Sequence, residues 1–478
     1  MLYAIIILPL AAALISAALP SEKMRPWLIP PTAFAHLFLV WREVRTPSPG
    51  GADAMLGLDP LGALILFVIS LLFAASSLYA LGYLRSHPDW DNRIFVGCLL
   101  LFLSAMSLAA SARHLGLLWV AVEATTLISA PLIYYNRNKF SIEATWKYLL
   151  LCSVGIALAM LGILFVGYAG LKGFGEANIQ LDHILGNAPL LSRPWLRTGF
   201  IFLLVGFGTK MGLAPLHTWK PDAYGEAPGL VGGLLAGGLT SVAFLAILRA
   251  MQIMTAAGEQ ALARQCLLAL GICSLLVAAL FVIRQRDIKR MLAYSSVEHM
   301  GILAIGVAMG GLATYGAMFH LLNNALTKGA LFMSAGNIHR YYGSKRQCEI
   351  LGTLSVLPVS AATFLAGFLA ITGSPPFAPF LSEFTILRGI ANSGHPVLCG
   401  FFILLLVVIF IGMGSTVIPV TLGASEEGTV ESSRYRETLL TAGSPLLLIL
   451  AVFLLGIYLP APLQLMFSNA AGLLEVPQ

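Results

Sequence analysis

Gly206-Phe207-Gly208-Thr209-Lys210-Met211-Gly212-Leu213-Ala214-Pro215-Leu216-His217 sits inside an apolar run spanning 197–219. A run of that length is a candidate membrane span. Its lysine is costly near the centre of a bilayer. Its proline removes a backbone donor and clashes with the preceding turn. The stretch therefore predicts a helix that opens at mid-membrane, where freed backbone is tolerated only beside protein or water. A second stretch of the same kind is Thr372-Gly373-Ser374-Pro375-Pro376-Phe377-Ala378-Pro379-Phe380-Leu381-Ser382-Glu383. There too an ionisable group stands a few residues from the break.

The rest of the chain suits that reading. Its 478 residues are 58% hydrophobic and 10% charged. Soluble domains carry about 25% charged residues, so a water-soluble enzyme and a disordered protein are both excluded. Fourteen apolar runs are candidate spans: 1–19, 27–41, 61–84, 94–112, 114–135, 146–169, 197–219, 229–251, 262–284, 289–310, 312–338, 353–392 with its break, 397–422 and 438–460. The expected fold is an all-α integral membrane protein with no soluble domain. Residues 1–93 form N-terminal transmembrane helices, and 438–478 form a last helix and tail. The first run starts at Met1 without a basic flank, so a cleaved signal peptide is not expected. The odd-numbered loops carry seventeen Lys and Arg against nine in the even-numbered ones. By the positive-inside rule the odd loops face the cytoplasm and both termini the opposite side of the inner membrane. The net charge of +6 is scattered among loops and does not suggest nucleic acid.

The two broken spans occupy corresponding places. Residues 94–251 and 262–422 each hold five runs, and the broken run is fourth in each. The second run of each block carries a glutamate, Glu123 and Glu298. An odd number of spans per block forces opposite orientations, so the blocks are expected to form an inverted repeat. Ionisable groups inside the runs are few: Glu123, Lys210, Glu298, His299, His320, Lys328 and Glu383. Such residues face the protein interior and mark ion or proton paths. His320, Asn324 and Lys328 recur every four residues, which places them along one helix face.

Chemistry of other kinds finds little support. The six cysteines form no CxxC pair and read as buried small residues. No Fe–S ligand set is present. Gly206-x-Gly208-x-x-x-Gly212 has the wrong spacing for a dinucleotide fingerprint. No cofactor, no metal and no redox centre are expected.

At these residues the chain resembles the antiporter-like subunits of respiratory complex I, Mrp-type cation/proton antiporters and membrane-bound nickel–iron hydrogenases. The resemblance covers roughly residues 60–420. Its carriers are Trp119 to Glu123, Gly208 to Lys210 running to Trp219 with Pro221-Asp222-Ala223, Asp287 to Ser296, and His320 to Lys328. The form Ser295-Ser296-Val297-Glu298-His299-Met300-Gly301 is most similar to the F subunit of hydrogenase-4 and formate hydrogenlyase assemblies. The resemblance implies proton translocation within a redox-driven complex that has other membrane subunits and a peripheral redox arm. It pairs Glu123 with Lys210, puts His320 and Lys328 on a central hydrated axis, and gives Glu383 the twelfth-span site. Sodium in place of protons, an Mrp-type antiporter, and a non-conducting membrane arm are the alternatives left open. One departure is plain. The eighth span, where relatives often carry Lys or His, has Ala236 at the matching position and no ionisable group before Arg249.

Overall fold

A computed structural model describes residues 1–46, 54–85, 91–424 and 435–475. Arg434, counted among the loop charges, lies outside the described residues. Among those described, β-structure is limited to three isolated bridges where loops cross. Each of the fourteen runs carries a helix. The order is α1 (Leu2–Ala18), α2 (Ile29–Arg45), α3 (Pro60–Arg85), α4 (Arg93–Ser111), α5 (Leu115–Ile133), α6 (Lys139–Phe174), α7a (Arg193–Met211) and α7b (Trp219–Glu226). Then come α8 (Gly229–Ala256), α9 (Gln260–Val282), α10 (Ile288–Met309), α11 (Gly311–Tyr342), α12a (Pro358–Ile371), α12b (Ala378–Asn392), α13 (Pro396–Leu422) and α14 (Leu439–Ile457). A further short helix, Ala461–Gly472, follows. Among the described residues, nine helices are long and apolar enough to cross a membrane. The others are short, halved, or diluted by polar side chains.

The helices form an inner group and an outer ring. The most apolar window of α8 is 100% buried, against 39% for α6 and α9 and 33% for α13. Small residues let the helices close up. A Cβ on Gly206 of α7a would lie 2.5 Å from the Ala159 nitrogen and 2.6 Å from the Gly155 carbonyl of α6. Gly271 of α9 and Gly301 of α10 oppose each other in the same way. Close backbone approach replaces the hydrophobic drive that lipid does not supply. Gly206→Val should therefore destabilise the chain by at least the ~1–3 kcal/mol of an overpacked core, seen as a lower Tm in detergent. An unchanged Tm would contradict this packing.

Ion pairs sort by loop parity. Lys147–Asp222, Arg290–Asp222 and Lys345–Glu226 tie the fifth, seventh, ninth and eleventh connections together. Arg113–Asp59, Arg113–Asp182 and Arg197–Glu259 tie the second, fourth, sixth and eighth. The cysteines differ from expectation. Cys152 is buried and Cys348 exposed, while Cys98, Cys266, Cys273 and Cys399 are partly exposed. An apolar run covers both the packed and the outward face of a helix, so membership of a run does not by itself mean burial.

Both expected breaks are present. α7a ends where Gly212 takes a left-handed conformation (φ 77°), and Leu213–Thr218 form turns before α7b. The orphaned helix-end carbonyls are satisfied locally. Gly208 O accepts from the Gly212 and Leu213 amides at 2.8 and 2.9 Å, and Thr209 O accepts from the Trp219 indole at 2.8 Å. In the other break, Gly373 (φ 68°) ends α12a and α12b starts at Ala378. One feature lies beyond the sequence reading. Within α8, Leu235–Leu239 form a π-turn at the position of Ala236.

Candidate functional site

The ionisable side chains do not scatter. They form three groups strung through the interior. In the first, Glu123 and Lys210 are linked through a hydroxyl rather than directly. Lys210 Nζ is fully buried and donates to Thr126 Oγ1 at 2.7 Å; Thr126 Oγ1 donates to Glu123 Oε2 at 3.0 Å. Ser153 donates to the other carboxylate oxygen at 3.1 Å, and Lys210 also donates to Tyr148 Oη at 2.8 Å. Glu123 and Thr126 meet because three residues is nearly one helical turn. The Thr126 hydroxyl can pass one proton on while taking up another, so the geometry suits a proton relay.

The second group is the break between α7a and α7b. Here a residue counted above as a loop charge turns out differently. Lys220, on α7b, is fully buried. Its stem packs against Gly212, where an added Cβ would meet Cδ at 2.6 Å and Nζ at 2.9 Å. Its ammonium donates to Ser296 Oγ of α10 at 3.4 Å. Trp219-Lys220-Pro221-Asp222 looks like a polar connection in sequence. The turns after Gly212 instead carry Lys220 inward and leave Asp222 at the rim with Lys147 and Arg290.

The third group joins α10, α11 and α12b. Glu298, His299, His320 and Lys328 are each at most 1% exposed, and Glu383 is 6% exposed. Ser295 donates to Glu298 Oε2 at 3.2 Å, and Lys328 Nζ donates to the Leu292 carbonyl at 3.2 Å. His299 Nδ1 and His320 Nε2 face each other at 2.9 Å, and His320 Nδ1 lies 3.0 Å from Ser382 Oγ. The bonding pattern sets the tautomers. Ser382 already donates to the Pro379 carbonyl at 2.9 Å. His320 Nδ1 must then be the donor to Ser382, which leaves its neutral Nε2 to accept from His299 Nδ1–H. His299 Nε2 makes no close hydrogen bond; it lies 3.8 Å from Glu298 Oε2, with the Ile371 carbonyl near the ring. A proton arriving on His299 Nε2 allows the Nδ1 proton to pass to His320. Ser382→Ala should upset this polarity and slow proton flux roughly tenfold, the lower end for a group that orients an imidazole; flux in vesicles at the wild-type rate would contradict the assignment.

A carboxylate oxygen of Glu383 lies within 4.8 Å of a nitrogen of each ring, so His299, His320 and Glu383 could in principle share a small cation. Lys328, within electrostatic reach of both rings, opposes one. Among the described residues Glu383 Oε1 has no hydrogen-bond partner, and the carboxylate borders a largely apolar cavity of about 320 Å³ between the α12 break and α13, lined by Phe380, Phe384, Leu406 and Phe410 among others. Sequence reasoning named the ionisable members but missed Thr126, Ser153, Lys220, Ser296 and Ser382. Thr126 and Ser382 had a signal, being three and one residues from named carboxylates.

Thr240 and Ser241 of α8 share their hydroxyl protons with neither group. Their hydroxyls donate to the Ala236 and Gly237 carbonyls of their own helix at 2.6 and 2.5 Å.

The family model described as NADH:quinone oxidoreductase/Mrp antiporter, TM, matches residues 112–412. The chain is 32% identical to a hydrogenase-4 component F homolog of Methylacidiphilum infernorum, with 99% of each chain covered. Its fold is similar to a chain of the membrane-bound sulfane sulfur reductase, an archaeal respiratory complex, at a TM-score of 0.87 and 20% identity, covering 99% of this chain and 97% of that one. A chain of the Mrp complex from Dietzia sp. is similar at a TM-score of 0.85 and 19% identity, with 98% and 97% covered.

Proposed function

The chain belongs to the NADH:quinone oxidoreductase/Mrp antiporter family of membrane subunits, and on that premise we propose that it carries protons across the inner membrane as part of a redox-driven complex of the hydrogenase-4 or formate hydrogenlyase type. The observation that carries this reading is the string of polar side chains from half-buried Glu123 through buried Lys210, Lys220, Glu298, His299, His320 and Lys328 to Glu383. Glu123, Thr126 and Lys210 form the entry switch. A charge change in a neighbouring subunit, or in the isolated chain an imposed membrane potential, pulls on Glu123, and Lys210 is held or released through Thr126. The Glu298, His299, His320 and Lys328 group passes protons on, and Glu383 exchanges them with the cavity at the α12 break. Moving one charge against 100 mV takes about 2.3 kcal/mol, within reach of rearranging one ion pair. The redox chemistry belongs to other subunits of the complex.

The proposed topology has fourteen crossings, both termini on the non-cytoplasmic side, and inverted repeats at 94–251 and 262–422. The sorting of ion pairs by loop parity supports alternating sides. The matched breaks at Gly212 and Gly373, with Glu123 and Glu298 in second place, support the repeats.

Purification of the complex through this chain from its own membranes tests the assignment. Nickel–iron hydrogenase-like subunits should come with it. Recovery with small cation-antiporter subunits alone, together with sodium-driven proton movement in proteoliposomes lacking an electron donor, would overturn the redox reading in favour of an Mrp-type one.

A further inference from the structure

The first and third groups are separated by α8, the helix that brings no titratable side chain to the gap. Ala236 is apolar, and the hydroxyl protons of Thr240 and Ser241 are committed to their own helix. Lys220 fills that gap from another element. It reaches the interior because the α7 break reverses the chain after Gly212, two residues beyond Lys210. On one side its neighbour Trp219 packs on Tyr148, the partner of Lys210, with ring centroids 5.0 Å apart. Cys152 lies within electrostatic range of both lysines. On the other side, Lys220 Nζ donates to Ser296 Oγ of α10 at 3.4 Å, one helical turn beyond Leu292, whose carbonyl holds Lys328. Lys328 is within electrostatic range of Lys220 as well. A structural role explains the burial poorly. An ammonium with three donors meets one hydrogen-bond acceptor, at 3.4 Å, and the Tyr224 ring at 5.8 Å to its centroid, in a fully enclosed site where an under-compensated charge costs stability.

We propose that Lys220 is the relay between Lys210 and the Glu298–Lys328 group, doing from the α7 break what an ionisable residue of the eighth span would otherwise do. The inference rests on the proton-conducting reading above. The neutral Lys220 amine takes up a proton released by Lys210 and becomes an ammonium. It then gives a proton to Ser296 Oγ as the Ser296 hydroxyl passes its own proton to a neutral Lys328 amine, which sits on Leu292 O one turn away on the same face of α10. Lys220 returns to the amine, and no proton is gained or lost within the chain.

The test uses the full chain in liposomes with an entrapped pH dye, driven by a potassium diffusion potential with valinomycin. Lys220→Met keeps the length and apolar stem of the side chain. It should lower proton uptake roughly a hundredfold, the lower end of what a positioned proton carrier contributes, with no fall in Tm. Lys220→His keeps a titratable nitrogen and should recover at least part of the uptake, which a packing role does not predict. Wild-type uptake in Lys220→Met while Lys328→Ala is inactive would overturn the role of Lys220 and leave the wider reading standing. Equal loss in the folded Met and His variants would overturn the relay and make Lys220 a packing residue. Absence of uptake by the wild-type chain would overturn the conducting reading on which the inference rests.

Discussion

Lys328→Ala should abolish potential-driven proton uptake, a loss of roughly a hundredfold or more, while the chain keeps its fold. Lys328 is fully buried, and its ammonium has one carbonyl partner, Leu292 O at 3.2 Å. Its electrostatic partner is Glu298. Removing one partner of a buried pair costs stability, and Glu298 offsets part of that by taking up a proton, so a lower Tm with the fold retained is expected. What it removes is the charge that answers Glu298. Without that charge, Glu298 has no partner with which to exchange a proton at the junction of α10 and α11. Uptake and Tm measured on one preparation separate the two effects. Uptake near the wild-type rate would remove Lys328 from the path.

The second large effect concerns the histidine pair. His299→Phe and His320→Phe should each stop uptake to a similar degree, and the double variant should be no worse than either. Two groups that pass one proton in series act as a unit, so their losses do not add. The geometry makes this specific: Nδ1 of one ring meets Nε2 of the other at 2.9 Å, and each neutral ring has one donor and one acceptor. A phenyl ring fills similar space but breaks the wire at either point. Losses that multiply in the double variant would mean two parallel routes, and unchanged uptake in either single variant would place that ring outside the route.

The sequence carried much of this in plain view. Apolar runs located the helices because lipid imposes length and composition on a span. Lys210 and Lys328 stood out because a charge inside such a run is costly. Gly212 with Pro215, and Gly373 with its prolines, announced the breaks. Lys220 did not stand out, because it lies among polar neighbours where charges are ordinary. Only the reversal of the chain after Gly212 turns it inward while Asp222, two residues on, stays at the rim. The indirect Glu123–Lys210 link was hidden for a related reason. A charge pair can be read from residue types, but the hydroxyl standing between them depends on side-chain direction. The π-turn at Ala236 had a faint signal in Gly232-Gly233 and Gly237-Gly238; Gly232, Gly233 and Gly237 allow close approach by α11 and Gly238 by Met106 of α4, without stating the register.

Proton entry into sodium-free liposomes carrying the wild-type chain, set against protein-free liposomes under the same potassium diffusion potential, addresses the account at its root. A string of interior ionisable groups that conducts protons, entered at half-buried Glu123, predicts acidification that needs no sodium and that Glu123→Gln removes. Acidification no faster than in the protein-free control, or present only when sodium is supplied, would contradict it.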